Sequence, residues 1–199
     1  MSRQVPPDIA GRLPAALHLF LDQGLDGTRV DAIVAATGIP KATLYYHFDS
    51  KEAIFAFLLR ELLDELAEAV DAAKRGRGTA RERLVAVIEA IVGAMAANPT
   101  SCLVLLSNLS RAGRMPEIAG SVQAAFHAPV EELLVEGSRD GSLRATGPAT
   151  ASAVFGAVVL VSLHHLIMTG DIPVRATVDS VGSLLLHGLA TGAAEGTDG

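Results

Sequence analysis

One short segment of the chain carries hydrogen-bond donors on the part of a predicted helix that does not face the core. The four donors are Lys41, Thr43, Tyr46 and His47, with Tyr45 to one side. A lysine ammonium can donate to guanine O6 or N7, and a threonine can bond a base edge or offer its methyl group to thymine. All four side chains can also bond phosphate oxygens. The segment therefore has the chemistry of a helix that reads the major groove of DNA.

Two short helices joined by a tight turn would position these donors. Thr28 and Asp31 have the spacing of a capping box at the start of the first helix, and Gly38 would end that helix. In the second helix, Leu44 and Phe48 are four residues apart and would point together into the core. This arrangement predicts a helix-turn-helix motif whose second helix presents its other face outward.

The same residues have a purely structural interpretation. Tyr45, Tyr46 and Phe48 could be core aromatics of a helical bundle, and His47 could be an ordinary surface histidine. Neighbouring residues on a helix point about 100° apart, so adjacent tyrosines cannot both face the core. This geometry favours the DNA-reading interpretation.

The whole chain predicts an all-α protein with about nine helices and no strand. The first helix would run over residues 8–23, with Pro14 bending it or delaying its regular start. A long amphipathic helix is predicted over residues 50–74, followed by a polar break at 75–79. The later helices are predicted over residues 80–97, 100–112, 116–139, 149–169 and 174–191. Pro129 should bend the third of these later helices.

Six stretches of the N-terminal quarter together resemble a known family. They are Ala16 to Phe20, Gly24 to Thr28, Val30 to Ile33, Gly38-Ile39, Leu44 to Phe48 and Ser50 to Glu52. In this order they are similar to the DNA-binding domain of the tetracycline-repressor (TetR) family of bacterial transcription regulators. The resemblance implies phosphate contacts from five residues: Thr28, Tyr45, Tyr46, His47 and Lys51. It implies that Lys41, Ala42 and Thr43 lie nearest the bases.

The resemblance also implies a division of the chain into parts. A helix-turn-helix domain would cover residues 8–51, a connector helix 52–75, and an effector-binding and dimerisation domain 79–191. Residues 192–199 would form a disordered tail. Three residues depart from the family pattern without removing a core position: Pro14, Thr37 and Pro40.

The effector domain would bind a small molecule and pair with a second copy of the chain. The last two predicted helices carry long apolar stripes, with Gly156, Gly182 and Gly188 allowing close helix approach. These stripes could instead only close the core of one subunit. The candidate pocket residues, each of which could equally be plain core, are Met95, Cys102, Leu106, Phe126, His127, His164 and Met168. They predict a largely apolar effector.

Composition and residue spacing also limit which other classes of protein this chain could belong to. The single cysteine, Cys102, excludes an intrachain disulfide, and the adjacent pair His164-His165 lacks the spacing of a helical zinc site. Nothing in the chain predicts an enzyme or a bound cofactor. The most apolar run, residues 151–168, is interpreted as a helix of the interior or the dimer interface, because its polar residues would be costly in a bilayer. We therefore expect a cytoplasmic protein without a membrane span.

Net charge alone would argue against a nucleic-acid partner, because the chain carries a formal charge of −6. The charge is unevenly placed, however. Residues 1–51 hold five basic and five acidic side chains, so the excess of acid lies wholly in the rest of the chain. Non-specific affinity for DNA should accordingly be modest, and binding should depend on a few well-placed contacts.

The sequence thus predicts a ligand-responsive repressor that leaves a palindromic operator when a small effector binds. A helical small-molecule binding protein without DNA recognition is an alternative, although its recognition helix would be degraded and here it is intact. A transcriptional activator of the same fold shares every feature of the sequence.

Overall fold

The computed structural model describes residues 5–108, 115–147 and 149–189, which are helical with no strand. If the interrupted helices at 7–27 and 116–140 each count once, these residues form nine helices, as predicted. The predicted tail lies outside them. The chain divides into two compact units, residues 1–64 with 98–121, and residues 65–97 with 122–199.

Proline splits the predicted first helix into three pieces. They are α1 (Pro7–Ala10), a 3₁₀ turn (Leu13–Ala16) and α2 (Leu17–Gly27). Pro14 lies at the start of the 3₁₀ turn, where its missing N–H costs no helical hydrogen bond. The regular α-helix therefore begins only at Leu17. The buried side chains of the whole segment include Leu13, Leu17 and Phe20.

The helix-turn-helix consists of α3 (Val30–Thr37) and α4 (Lys41–His47). Gly38 ends α3 in the left-handed region with φ of 65°. Arg12 closes this corner, because its Nε donates to the carbonyl of Thr37 at 3.0 Å. Ile39 is fully buried beneath the turn.

The predicted capping box at Thr28 is wrong. Helix α3 begins after Arg29 with no side-chain cap, and the Thr28 hydroxyl instead donates to the carbonyl of Gly24 at 2.7 Å. Gly24 itself has φ of 66°, which kinks α2, and its carbonyl also accepts a hydrogen bond from the backbone N–H of Thr28 at 3.2 Å.

The connector is α5 (Lys51–Lys74). Its predicted apolar face is confirmed as a buried stripe of Ile54, Leu58, Leu62, Leu66 and Val70. The boundary between the two compact units falls inside this helix, between Asp64 and Glu65.

Helix α6 (Ala80–Ala97) starts with a capping box that the sequence interpretation overlooked. The Thr79 N–H donates to Glu82 Oε2 at 2.8 Å, and the Glu82 N–H donates to Thr79 Oγ1 at 3.3 Å. The Asp140 carboxylate accepts from the Ala80 N–H at 3.1 Å, and Ser142 Oγ accepts from the Arg81 N–H at 3.3 Å. The N–H groups of residues 79–82 are therefore all bonded.

The middle of the chain contains α7 (Pro99–Ser107), α8 (Pro116–Val122), a π-helical turn (Gln123–His127) and α9 (Ala128–Asp140). Helix α7 ends earlier than predicted, and α7 packs on α2 within the first unit. The irregularity expected at Pro129 appears as the π turn directly before it. Because proline lacks an N–H, it cannot continue the regular i to i−4 bonding from α8.

The last two helices are α10 (Thr150–Thr169) and α11 (Val174–Leu189), which contact each other and α6 in the second unit. By length and composition alone, α10 could cross a bilayer, with a mean hydropathy of 1.9. Only 33 % of this apolar window is buried within the chain. Its outer face is therefore much more apolar than a solvated helix face requires.

Candidate nucleic-acid interface and effector-binding residues

Helix α4 has one buried face and one exposed face. Leu44 and Phe48 are buried, whereas Tyr45 is 52 % and Tyr46 59 % exposed. Lys41 and Ala42 are exposed, and Thr43 is half-buried. The arrangement provides donors and aromatic rings at the surface of a short helix that is held from behind by apolar contacts. The predicted outward orientation of Tyr46 is confirmed, and Tyr45 is exposed beside it.

Lys41 makes an ion pair across the turn. Its Nζ lies 2.7 Å from Asp31 Oδ1 in the first turn of α3, and both side chains are more than half exposed. The hydrogen bond and the charge of Lys41 lower the pKa of Asp31, and the same contact raises the pKa of Lys41.

Lys51 is held by backbone oxygens at the start of α5. Its Nζ donates to the carbonyl of Asp26 at 2.8 Å and to that of Thr28 at 3.1 Å. These bonds tie α5 to the segment that leads into α3, so Lys51 has a positioning role in addition to the phosphate contact that remains a prediction.

Thr28 requires a correction as a phosphate contact. The residue is only 1 % exposed, and its hydroxyl oxygen lies 2.7 Å from the carbonyl oxygen of Gly24 and 3.1 Å from that of Leu19. A buried and bonded hydroxyl has no surface to offer a phosphate. Its physical role is to fix the loop between α2 and α3.

His47 occupies the end of α4, half-buried under Tyr46. The two rings meet edge to face with centroids 4.9 Å apart. Its Nδ1 is buried and has no hydrogen-bond partner among the described residues. The predicted phosphate contact must therefore come from Nε2.

A cavity of about 570 Å³ lies beside the end of α4 in the first unit. Tyr46, His47 and Phe57 line it together with Arg60 and Glu117. The Arg60 guanidinium lies 5.8 Å from the centre of the Phe57 ring. Sequence reasoning did not find this cavity, because its walls come from α4, α5 and the distant α8.

In the second unit, two of the predicted effector-binding residues lie together. Phe126 and His127 both contact Phe155 of α10, with ring centroids 4.8 and 5.2 Å from its ring. Phe155 was missed as a pocket residue because nothing in its own helix distinguishes it from core. The cluster includes the end of the π turn, a backbone irregularity that occurs frequently at functional sites.

The other predicted pocket residues are scattered. Met95 is buried in α6, whereas His164 and Met168 are exposed on α10. Cys102 and Leu106 lie on α7 in the first unit, where Cys102 is buried. Burial raises the pKa of the Cys102 thiol to about 11. In the residues that the structure describes, no three histidine, cysteine or acidic side chains gather as metal ligands would.

The comparisons with known proteins agree with this geometry. Residues 13–58, which include both helices of the motif, match the family described as bacterial regulatory proteins, tetR family. The N-terminal part of this chain is therefore similar to the DNA-binding region of tetR-family regulators.

One relative of this chain is the HTH-type transcriptional activator FasR of Mycolicibacterium smegmatis. It is 29 % identical over 133 residues, 67 % of this chain and 60 % of FasR. The chain thus matches less than two thirds of that relative's length.

Two solved structures share the fold over nearly the whole chain. A TetR-like transcriptional regulator from Rhodococcus sp. RHA1 is 27 % identical with a TM-score of 0.71, covering 93 % of this chain and 98 % of its own. The transcriptional regulator FadR from Bacillus subtilis, solved in complex with stearoyl-CoA, is 22 % identical with a TM-score of 0.73. That match covers 89 % of this chain and 97 % of FadR.

Proposed function

We propose that this chain is a ligand-responsive transcriptional regulator that binds double-stranded DNA, acting as a repressor. The observation that carries the proposal is the two-faced helix α4, with Leu44 and Phe48 buried and Tyr45 and Tyr46 exposed beside Lys41. In this assignment Lys41, Ala42 and Thr43 approach the bases, while the tyrosines, His47 and Lys51 bond phosphates.

The functional unit is a homodimer on a palindromic operator. Helices α10 and α11 support this assignment, because Leu160 is 65 % and Leu184 72 % exposed, and Ile167 is exposed as well. Apolar faces on two adjacent helices can pair with their copies around a two-fold axis in a four-helix bundle. The dimer would present two copies of α4 to successive major grooves. We expect the dimer to be located in the cytoplasm, together with the DNA that it binds.

The effector is a small, largely apolar molecule that contacts Phe126, His127 and Phe155. Two aromatic rings and one imidazole offer an apolar surface with a single polar group, which is the usual composition of a small-molecule site. FadR of B. subtilis, which shares the fold, was solved in complex with stearoyl-CoA, and this supports an apolar effector here. Release from DNA requires the effector to bind the DNA-incompetent state more tightly.

A mobility-shift titration tests both halves of the proposal. The full chain should retard DNA from upstream of its own gene, and adding an apolar extract of the host cell should release that DNA. If the wild type retards the DNA and the Tyr46→Phe variant does not, binding depends on α4. The variant differs from the wild type only by the loss of one hydroxyl on that helix. A chain that never retards this DNA but binds small molecules would instead be a helical binding protein.

The direction of regulation has a second candidate, since FasR is named an activator. A reporter gene placed behind the bound DNA distinguishes the two. Deleting the regulator should raise reporter output for a repressor and lower it for an activator.

A further inference from the structure

The ion pair between Asp31 and Lys41 joins the two helices of the DNA-binding motif at their exposed first turns. Its Nζ and Oδ1 atoms are 2.7 Å apart, and the side chains are 66 % exposed for Asp31 and 52 % for Lys41. Exposed pairs of this kind contribute little to stability. The pair therefore has no evident structural requirement, and it lies where the motif would meet DNA.

A carboxylate at this place is costly for a protein that binds a polyanion. Asp31 repels phosphates, and removing it would strengthen non-specific binding. Lys41 offsets that charge, because its ammonium lies 2.7 Å from the carboxylate. Asp31 weakens the general attraction to DNA and at the same time holds Lys41, the one lysine of α4. This combination points to a role in distinguishing one DNA sequence from another.

Resting on the proposed function, we propose that Asp31 is a positioning residue that determines sequence specificity: it holds the Lys41 ammonium for a base edge and away from the backbone phosphates. A lysine has a flexible stem and three donors, and an unrestrained ammonium near DNA goes to phosphate, where the negative charge is. With one donor on Asp31, two remain for the paired acceptors O6 and N7 of a guanine. The partner recognised is therefore a guanine at the position that α4's first turn reaches.

The test uses the full-length chain and DNA chosen by selection from a random library. Fluorescence anisotropy then measures the affinity for the selected sequence, for variants at each single base pair, and for scrambled DNA. Asp31→Asn should lose about tenfold of the discrimination at one base pair per half-site, the size of a lost bidentate contact. Its binding to scrambled DNA should strengthen, and its salt dependence should steepen by about one phosphate contact per subunit.

Three further variants separate positioning from simple charge removal. Asp22→Asn removes an equally exposed acid on α2, so it should change matched and scrambled binding alike and leave the ratio intact. Asp31→Glu keeps the carboxylate and should restore most of the discrimination. In a Lys41→Ala background, Asp31→Asn should have no further effect on base preference, because the lysine through which it acts is gone.

Two results would overturn the inference while leaving the proposed function standing. One is an Asp31→Asn variant whose preference at every base pair equals that of the wild type. The other is a change of preference that persists in the Lys41→Ala background, which would mean that Asp31 contacts a base itself. Failure of the wild type to enrich any sequence would overturn the proposed function and, with it, this inference.

Discussion

Gly38 forms the turn of the DNA-binding motif in a backbone conformation that residues with a Cβ rarely adopt. It has φ of 65°, and a Cβ there would lie 2.7 Å from Arg12 Nη2. Gly38→Ala should therefore lower the free energy of unfolding by about 1–2 kcal/mol, mainly through the left-handed backbone. Urea unfolding followed by circular dichroism measures the change.

Gly93→Ala is the matched control for that substitution. Gly93 lies inside α6, and a Cβ there meets nothing within 4 Å. This variant should be neutral or stabilising by up to about 1 kcal/mol. Equal destabilisation by both variants would contradict the account of the turn.

Cys102 should be chemically quiet in the folded chain. Burial raises its pKa to about 11, and the thiolate is the reactive form. Alkylation by iodoacetamide near neutral pH, followed by mass spectrometry, should be slow for native protein and fast in denaturant. Rapid native alkylation would show that the thiol is accessible.

At this scale, the sequence predicts faces better than individual bonds. The inward Leu44 and the outward Tyr46 follow from helical periodicity alone. Thr28 was misplaced because its hydroxyl bonds the carbonyls of Gly24 and Leu19 at the kink in α2, a feature that the spacing of residues does not contain. Phe155 joins Phe126 and His127 only through tertiary packing.

Among the elements, the start of α6 is held by two carboxylates whose hydrogen bonds are lost when they are protonated. Hydrogen bonds from Thr79 lower the pKa of Glu82, and bonds from Ser142 and Ala80 lower that of Asp140. A carboxyl with a depressed folded pKa stabilises the fold above its unfolded pKa of about 4 and loses that contribution as pH falls. The free energy of unfolding should therefore decline between about pH 5 and pH 3.

Asp140→Asn should flatten this decline, as measured by urea unfolding at a series of pH values. Glu89→Gln changes an exposed carboxylate in the middle of α6 and should leave the slope as it is. An identical slope in the wild type and Asp140→Asn would contradict the assignment.

The ends of helices were predicted well where a proline or a glycine follows the helix. Asn98-Pro99 marks the end of α6, and Gly170 ends α10 with φ of 77°. The π turn before Pro129 was expected only as a bend, because a missing N–H can be accommodated by a kink or by a wider turn. The local sequence does not decide between these.

For the whole molecule, the exposed faces of α10 and α11 predict the oligomeric state. Leu160→Glu combined with Leu184→Glu should convert a dimer to a monomer, because two charges would be buried in an apolar interface. Sedimentation velocity measures the change, and circular dichroism checks that the helices remain.

Val135→Glu is the control, since Val135 is equally an exposed apolar residue but lies on α9. It should leave the dimer intact. Dissociation by this variant as well would mean that the interface lies elsewhere.

The most direct test of the proposal that this chain recognises a DNA sequence through α4 is one anisotropy titration at physiological salt. It compares DNA from upstream of the chain's own gene with random DNA of the same length. Specific recognition predicts at least about a thousandfold tighter binding to the upstream DNA. Because the motif carries no excess of positive charge, the random DNA should bind only weakly. Equal affinity for the two DNAs would contradict the account.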